Sequence, residues 1–126
     1  MEFPDRLRYS AEHEWVEVDG PRARVGITDF AQDALGDVVY VQLPDVGLLV
    51  VANATCAEVE STKSVSDIYS PVSGEIVEVN AALEDAPEQL NQDAYGAGWI
   101  FVVEMSDPSE IDALMDAAGY RSLVEG

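Results

Sequence analysis

"VESTKSVSDIYSPVSGEIVEVN", residues Val59 to Asn80, holds the only lysine of the chain, Lys63, between two segments that read as strands. Upstream, positions 54 to 61 alternate, with Ala57, Val59 and Ser61 on one face and Glu58 and Glu60 on the other. That period of two marks a half-buried strand. Downstream, Val65 and Tyr69 fall among polar residues until Ser70-Pro71 breaks the run. Lys63 is therefore expected at the tip of a turn. "GEIVEVN" from Gly74 to Asn80 also repeats the pattern of "GDVVYVQ" from Gly36 to Gln42: glycine, acid, aliphatic, valine, variable, valine, amide. A strand unit repeated on either side of the lysine predicts two similar sheets packed face to face around one core.

The remaining segments extend this pattern. "EWVEV" at Glu14 to Val18 leads through Asp19-Gly20-Pro21 into "RARVGI", a hairpin signal. Thr28 or Asp29 can cap a short helix that Gly36 closes, with Gln32 three residues after Asp29. "DVVYVQL" reads as a strand ended by Pro44. Near the end, Asp107 as N-cap, Pro108 and Glu110 precede Ile111, Leu114, Met115 and Ala118. That spacing predicts one amphipathic helix over the stripe, closed by Gly119, with a face for packing. Residues 1–126 are expected to form a single mainly β domain with a few short helices.

Composition narrows the function. The chain carries 25 acidic against 6 basic residues, a formal charge of −19, with 48% hydrophobic residues, so it has the means to build a core. Such a charge repels phosphate backbones and anionic lipid, so neither nucleic acid nor a membrane surface is an expected partner, and a monomer is expected. The single Cys56 precludes an internal disulfide and reads as a small apolar filler. One histidine, His13, and no Cys/His cluster leave no zinc site, and no nucleophile, base and orienter set is present for a hydrolase. His13 reads as a turn or packing residue, and Trp15 and Trp99 as core. "MEFPDRLRYS" has neither the apolar run of a signal peptide nor the acid-free make-up of a transit peptide, and a cytoplasmic location is expected.

A lysine amine with the ordinary pKa of about 10.4 is protonated near neutrality and is neither nucleophile nor base. Glu60 and Asp67 supply no cationic neighbour to release it. As the acceptor of an acyl group it needs no such help, because an acylating enzyme can deprotonate it. A lysine between two such strand units resembles the lipoyl and biotinyl carrier domains. The chain more specifically resembles the H-protein family of the glycine cleavage system from about Tyr9 to Tyr120, through "HEWV" (His13 to Val16), "GITDFAQDALGDVVYVQLP" (Gly26 to Pro44), the Val59 to Asn80 stretch and "YGAGWI" (Tyr95 to Ile100).

That resemblance implies a barrel-sandwich hybrid of two sheets and a carrier with no catalysis of its own. It implies lipoate in amide linkage on Lys63, attached by a lipoate ligase or octanoyltransferase. The arm would take an aminomethyl group from a pyridoxal-phosphate glycine decarboxylase (P protein) to a tetrahydrofolate-dependent aminomethyltransferase (T protein), and a dihydrolipoyl dehydrogenase (L protein) would reoxidise it. Glu14 and Asp67 are candidates to meet the cationic amine, and Glu60, Ser61, Thr62 and Ser64 to be recognised by the ligase. Against that role, Glu14 reads as a solvated strand-start acid whose loss changes stability within about 0.5 kcal/mol. Asn53, Ala57 and Ala94 depart from the family pattern. Asn53 can keep a turn in the left-handed region, and Ala57 crowds a close backbone approach. Two alternatives stand beside this reading: a similar protein relaying lipoyl or octanoyl groups to other enzymes, and an unmodified interaction module. Thr62 and Ser64, where biotinyl carriers have methionines, argue against biotin.

Overall fold

The computed structural model describes residues 2–125, and nine strands dominate it. Six form one antiparallel sheet in the order β1 (Arg8–Tyr9), β2 (Glu14–Asp19), β3 (Arg22–Ile27), β9 (Phe101–Met105), β8 (Gly74–Val79) and β5 (Leu49–Val50). The other three, β4 (Val38–Gln42), β6 (Thr55–Ser61) and β7 (Val65–Tyr69), form a second sheet with β6 in the middle. The repeated units thus fall one in each sheet, β4 and β8. The sheets are unequal rather than alike, because β1, β2 and β3 extend one of them past β9.

Alternation along each strand sends one row of side chains inward. Val16, Val25, Ile27, Ile76, Phe101 and Val103 from the large sheet meet Val41, Ala57, Val59 and Ile68 from the small one. Two short helices, α2 (Ala82–Asp85) and α3 (Gln89–Gln92), close the core with Leu83 and Leu90. Both glycines that open the repeat are required by backbone, for different reasons. Gly74 has φ 155°, and a Cβ there would lie 2.0 Å from the Glu104 carbonyl oxygen across the β8–β9 pair. Gly36 has φ 81° and ends α1 (Asp29–Leu35), whose N-cap is Thr28, its side chain accepting from the Ala31 amide. Asn53 takes φ 71°, the left-handed turn its residue type permits. Ala57 is buried just after a register shift in the β6–β7 ladder.

The C-terminal segment departs from the single helix its sequence predicts. Pro108–Ala113 forms a 3-10 helix, the chain then extends through Leu114 and Met115, and α4 runs over Ala117–Glu125. Backbone pairing breaks the helix: Met115 and Tyr9 exchange N–H to carbonyl hydrogen bonds, both of 2.8 Å. Asp116 restarts it by accepting from the Gly119 amide at 2.8 Å, so Gly119 lies in the first turn of α4 and not at a C-terminus. Glu110 is drawn away from its expected capping position to accept from the Ser73 amide and hydroxyl at 2.7 and 2.9 Å. The new helix brings Tyr120 into a second, aromatic cluster with Phe3, Tyr9 and Trp15.

Candidate functional site

Lys63 occupies the turn between β6 and β7, and the turn is built by the serine two residues before it. The Ser61 amide donates to the Ser64 carbonyl at 2.8 Å, leaving Thr62 and Lys63 as the two central residues. Neither has positive φ, so this is not one of the turns that two-residue hairpins usually adopt. The Ser61 hydroxyl compensates: it accepts from the amides of Lys63 and Ser64 at 3.2 and 3.1 Å and donates to the Ser64 carbonyl at 3.2 Å. Ser61 is therefore buried and committed to the turn. Of the expected recognition residues it is the one turned inward, while Glu60, Thr62 and Ser64 are exposed with Lys63.

The lysine side chain lies along the end of α1. A methyl group on Gly36 would sit 3.1 Å from Lys63 Cε and 3.5 Å from Nζ. Asn91 on α3 fixes this neighbourhood, accepting from the Val38 amide at 2.9 Å and donating to the Gly36 carbonyl at 2.8 Å. A groove of about 160 Å³ lies between α1 and β7. Ala31, Ala34 and Leu35 form one wall, Ser66, Asp67 and Ile68 the other, and His13 and Ile27 line it as well. Asp67 is exposed. His13 takes φ 71°, its Nδ1 shares a hydrogen bond of 2.8 Å with the Tyr120 hydroxyl, and burial lowers its pKa. It is both turn and packing residue.

Glu14 pairs with Ile27 across β2 and β3. It is 1% exposed, which overturns its reading as a solvated acid: the strand start is covered where β2 meets the end of β7. The Ser10 hydroxyl donates to Glu14 Oε1 at 2.6 Å, and the Tyr69 amide, two residues beyond Asp67, donates to Oε2 at 3.3 Å. Burial pushes this carboxyl up to about 7, against the opposing pull of those two hydrogen bonds. A cation brought near would favour the ionised form. Asn91 and Tyr120 carry no signal in the sequence, since each acts on residues far along the chain, whereas Ser10 serves Glu14 only four residues on. Cys56 is half-buried, its thiol directed at the Ile68 carbonyl and pushed up to about 12 by burial. Trp15 is buried and donates to the Ala94 carbonyl at 2.9 Å, whereas Trp99 is half-buried beneath the Arg24 guanidinium.

Two sheets around one core, with the only lysine of the chain exposed on a hairpin beside a groove, define a carrier domain of the lipoyl and biotinyl type. The glycine cleavage H-protein family model matches residues 7–126. A glycine cleavage system H protein of Beutenbergia cavernae is 56% identical over 126 residues, covering 100% of this chain and 99% of that one. The Thermus thermophilus H protein is 54% identical over 125 residues, covering 99% and 98%. The crystal structure of a Mycobacterium marinum glycine cleavage system H protein superimposes with a TM-score of 0.90 at 44% identity, covering 98% of this chain and 100% of that one. The chain belongs to the glycine cleavage H-protein family.

Proposed function

We propose that this protein is the lipoyl-bearing shuttle of glycine cleavage and that Lys63 is the attachment point. In this reading a lipoate ligase or octanoyltransferase loads Lys63, and the protein works in the cytoplasm as a monomer. It serves the glycine decarboxylase, then the tetrahydrofolate-dependent aminomethyltransferase, then dihydrolipoyl dehydrogenase. The observation that carries the reading is the exposed Lys63 on a turn built by Ser61, in a chain with no other ε-amine. Lipoate, when attached, supplies a dithiolane that takes up the aminomethyl group and returns to the disulfide on oxidation.

The protein's own residues then present, shelter and release. The Ser61 hydroxyl holds the Lys63 amide, so the turn presents an exposed lysine whose side chain passes Gly36 at the end of α1. Ala31, Ala34, Leu35 and Ile68 offer apolar contact to an arm that folds back along the groove. Asp67 on that wall supplies a carboxylate for the cationic amine, and the buried Glu14, next in the chain to the groove-lining His13 and near pKa 7, can lose its proton as the cation arrives. Tethering supplies an effective concentration on the order of millimolar, which free lipoate lacks. The test is Lys63→Arg, which keeps the charge and cannot be acylated in the same way. The variant should fold, stay unloaded and fail in glycine-dependent CO₂ exchange, with free lipoate restoring a small fraction. A folded variant with near-normal exchange would remove the assignment.

A further inference from the structure

We infer that the groove beside the edge strand β5 is a docking site for an extended segment of a partner protein, apolar and carrying lysine or arginine, that joins the large sheet as a further strand. The site is separate from the carrier chemistry and does not depend on Lys63. β5 ends the six-strand order and pairs only with β8. The Ile76 amide donates to the Leu48 carbonyl at 2.8 Å, and strand alternation turns the amide and carbonyl of Leu49 the other way, toward an edge that no strand covers. Sheet edges are commonly blunted by charge or proline. This one is not: no charged residue and no proline stands between Asp45 and Glu58. Leu49 is 76% and Val51 68% exposed, and Val46 and Leu48 reach solvent with them.

Charge names the partner's chemistry. The groove measures about 510 Å³, with Leu49 and Val51 lining it from the β5 segment and Glu75, Glu104 and Met105 from β8 and β9. Leu49 pairs with Glu75, and Glu75 with Glu104, so a leucine and two carboxylates stand in one row across the exposed face. Among the described residues neither acid is in an ion pair, although Arg22 stands in register with Glu104 on its far side. An added strand would bond to the Leu49 backbone, lay an apolar side chain against Leu49 and Val51, and reach Glu75 with a long cationic one. A second copy is the poorer occupant, because it would bring together two chains of charge −19.

Position gives the site its use. Val38 pairs with Ser61 beside the lysine turn and Gln42 with Glu58 farther from it, so β4 runs away from the turn. The residues after β5 are tied to the far end of β7, where the Asn53 amide donates to the Ser70 carbonyl at 2.7 Å and the Ser70 amide to the Ala54 carbonyl at 2.9 Å. β5 therefore lies at the end of the domain opposite Lys63. The length of β6, at about 3.3 Å per residue, puts roughly 20 Å between the two ends. A partner seated at β5 would keep the protein at high local concentration and leave the lysine turn uncovered.

The experiment titrates the full unmodified chain into a short fluorescent peptide of alternating valine and lysine, read by anisotropy, and locates the peptide by amide hydrogen exchange. Exchange should slow at the Leu49 amide. Leu49→Ser and Val51→Ser should each weaken binding roughly ten-fold without changing thermal unfolding. Glu75→Gln should weaken it by a smaller factor and flatten its salt dependence. The same peptide with a proline at its centre lacks a ladder donor and should also bind roughly ten-fold more weakly. Lys63→Arg should bind as wild type does, which keeps this result apart from the attachment reading. Folded Leu49→Ser protein that binds the peptide as tightly as wild type would overturn the site, and so would protection spread over the acidic surface with none at Leu49.

Discussion

Lys63 and Glu14 are opposites in one small molecule. The lysine stands in solvent on a turn of two central residues, tied down chiefly by one buried hydroxyl. The glutamate is sealed at the meeting of β2 and β7, accepting from Ser10 and Tyr69, beside a cluster in which Tyr120 stacks on Tyr9 at 4.8 Å and reaches Thr28 at 2.7 Å. The shuttle proposed above, with Lys63 as its attachment point and Glu14 as its acceptor of charge, requires both. The attachment point has to be free for several partners, so little packing rests on it. A group that receives charge has to be fixed and partly desolvated, so that the arrival of a cation changes its protonation. Substitutions at the corner should therefore act on stability, and substitutions at the turn on loading.

The largest effect should come from Tyr120→Ala, which empties a fully buried ring position and removes the partner of His13 and Thr28. A loss of about 3–5 kcal/mol is expected from denaturant unfolding. The variant should still be loaded at Lys63 at temperatures where it is folded. Loss of loading in folded protein would break the separation between corner and turn.

Next in size is a pH-dependent effect at Glu14. Its carboxyl is raised in the folded state to about 7 from 4.5, so the folded protein holds a proton that the unfolded chain has released. Stability contributed by this group is therefore present at low pH and lost as pH rises between those values. Glu14→Gln should match wild type near pH 4, below the unfolded value, and exceed it near pH 8 by on the order of 3 kcal/mol. It should also shorten the lifetime of the amine-loaded arm. Parallel stability curves for the two proteins would mean that the corner carries no titrating carboxylate.

Ser61→Ala comes third. Three hydrogen bonds of the turn depend on that hydroxyl, yet the site is at the edge of the fold, so about 1 kcal/mol of stability should be lost. Loading by a lipoate ligase should slow more than stability falls, because the turn then samples other shapes. Lys63→Arg should have the smallest stability effect, within about 0.5 kcal/mol. A large destabilisation by this substitution would show that the lysine is part of the packing.

The contrast also marks what the sequence discloses. Lys63, its turn, β6 with its alternating glutamates and a helix cap at Thr28 or Asp29 follow from local pattern, because each depends on neighbours within a few positions, while the left-handed Asn53 follows from the family resemblance. The burial of Glu14 does not, since Tyr69 lies 55 residues away and only the tertiary fold brings its amide to the carboxylate. The C-terminal stripe misleads for the same reason. Ile111, Leu114, Met115 and Ala118 have helical spacing, but a ladder contact with Tyr9, more than a hundred residues earlier, extends the backbone at Met115 and starts α4 afresh. Likewise the repeat at Gly36 and Gly74 gives two sheets, while the unequal size of those sheets depends on where the β2–β3 hairpin attaches.

Peptide mass mapping of protein purified from its own lipoate-sufficient cells tests the central claim most directly. The prediction is a single lipoyl group per chain, located on the peptide containing Lys63. Native protein with Lys63 unmodified would contradict the account and favour an unmodified interaction module with the same fold.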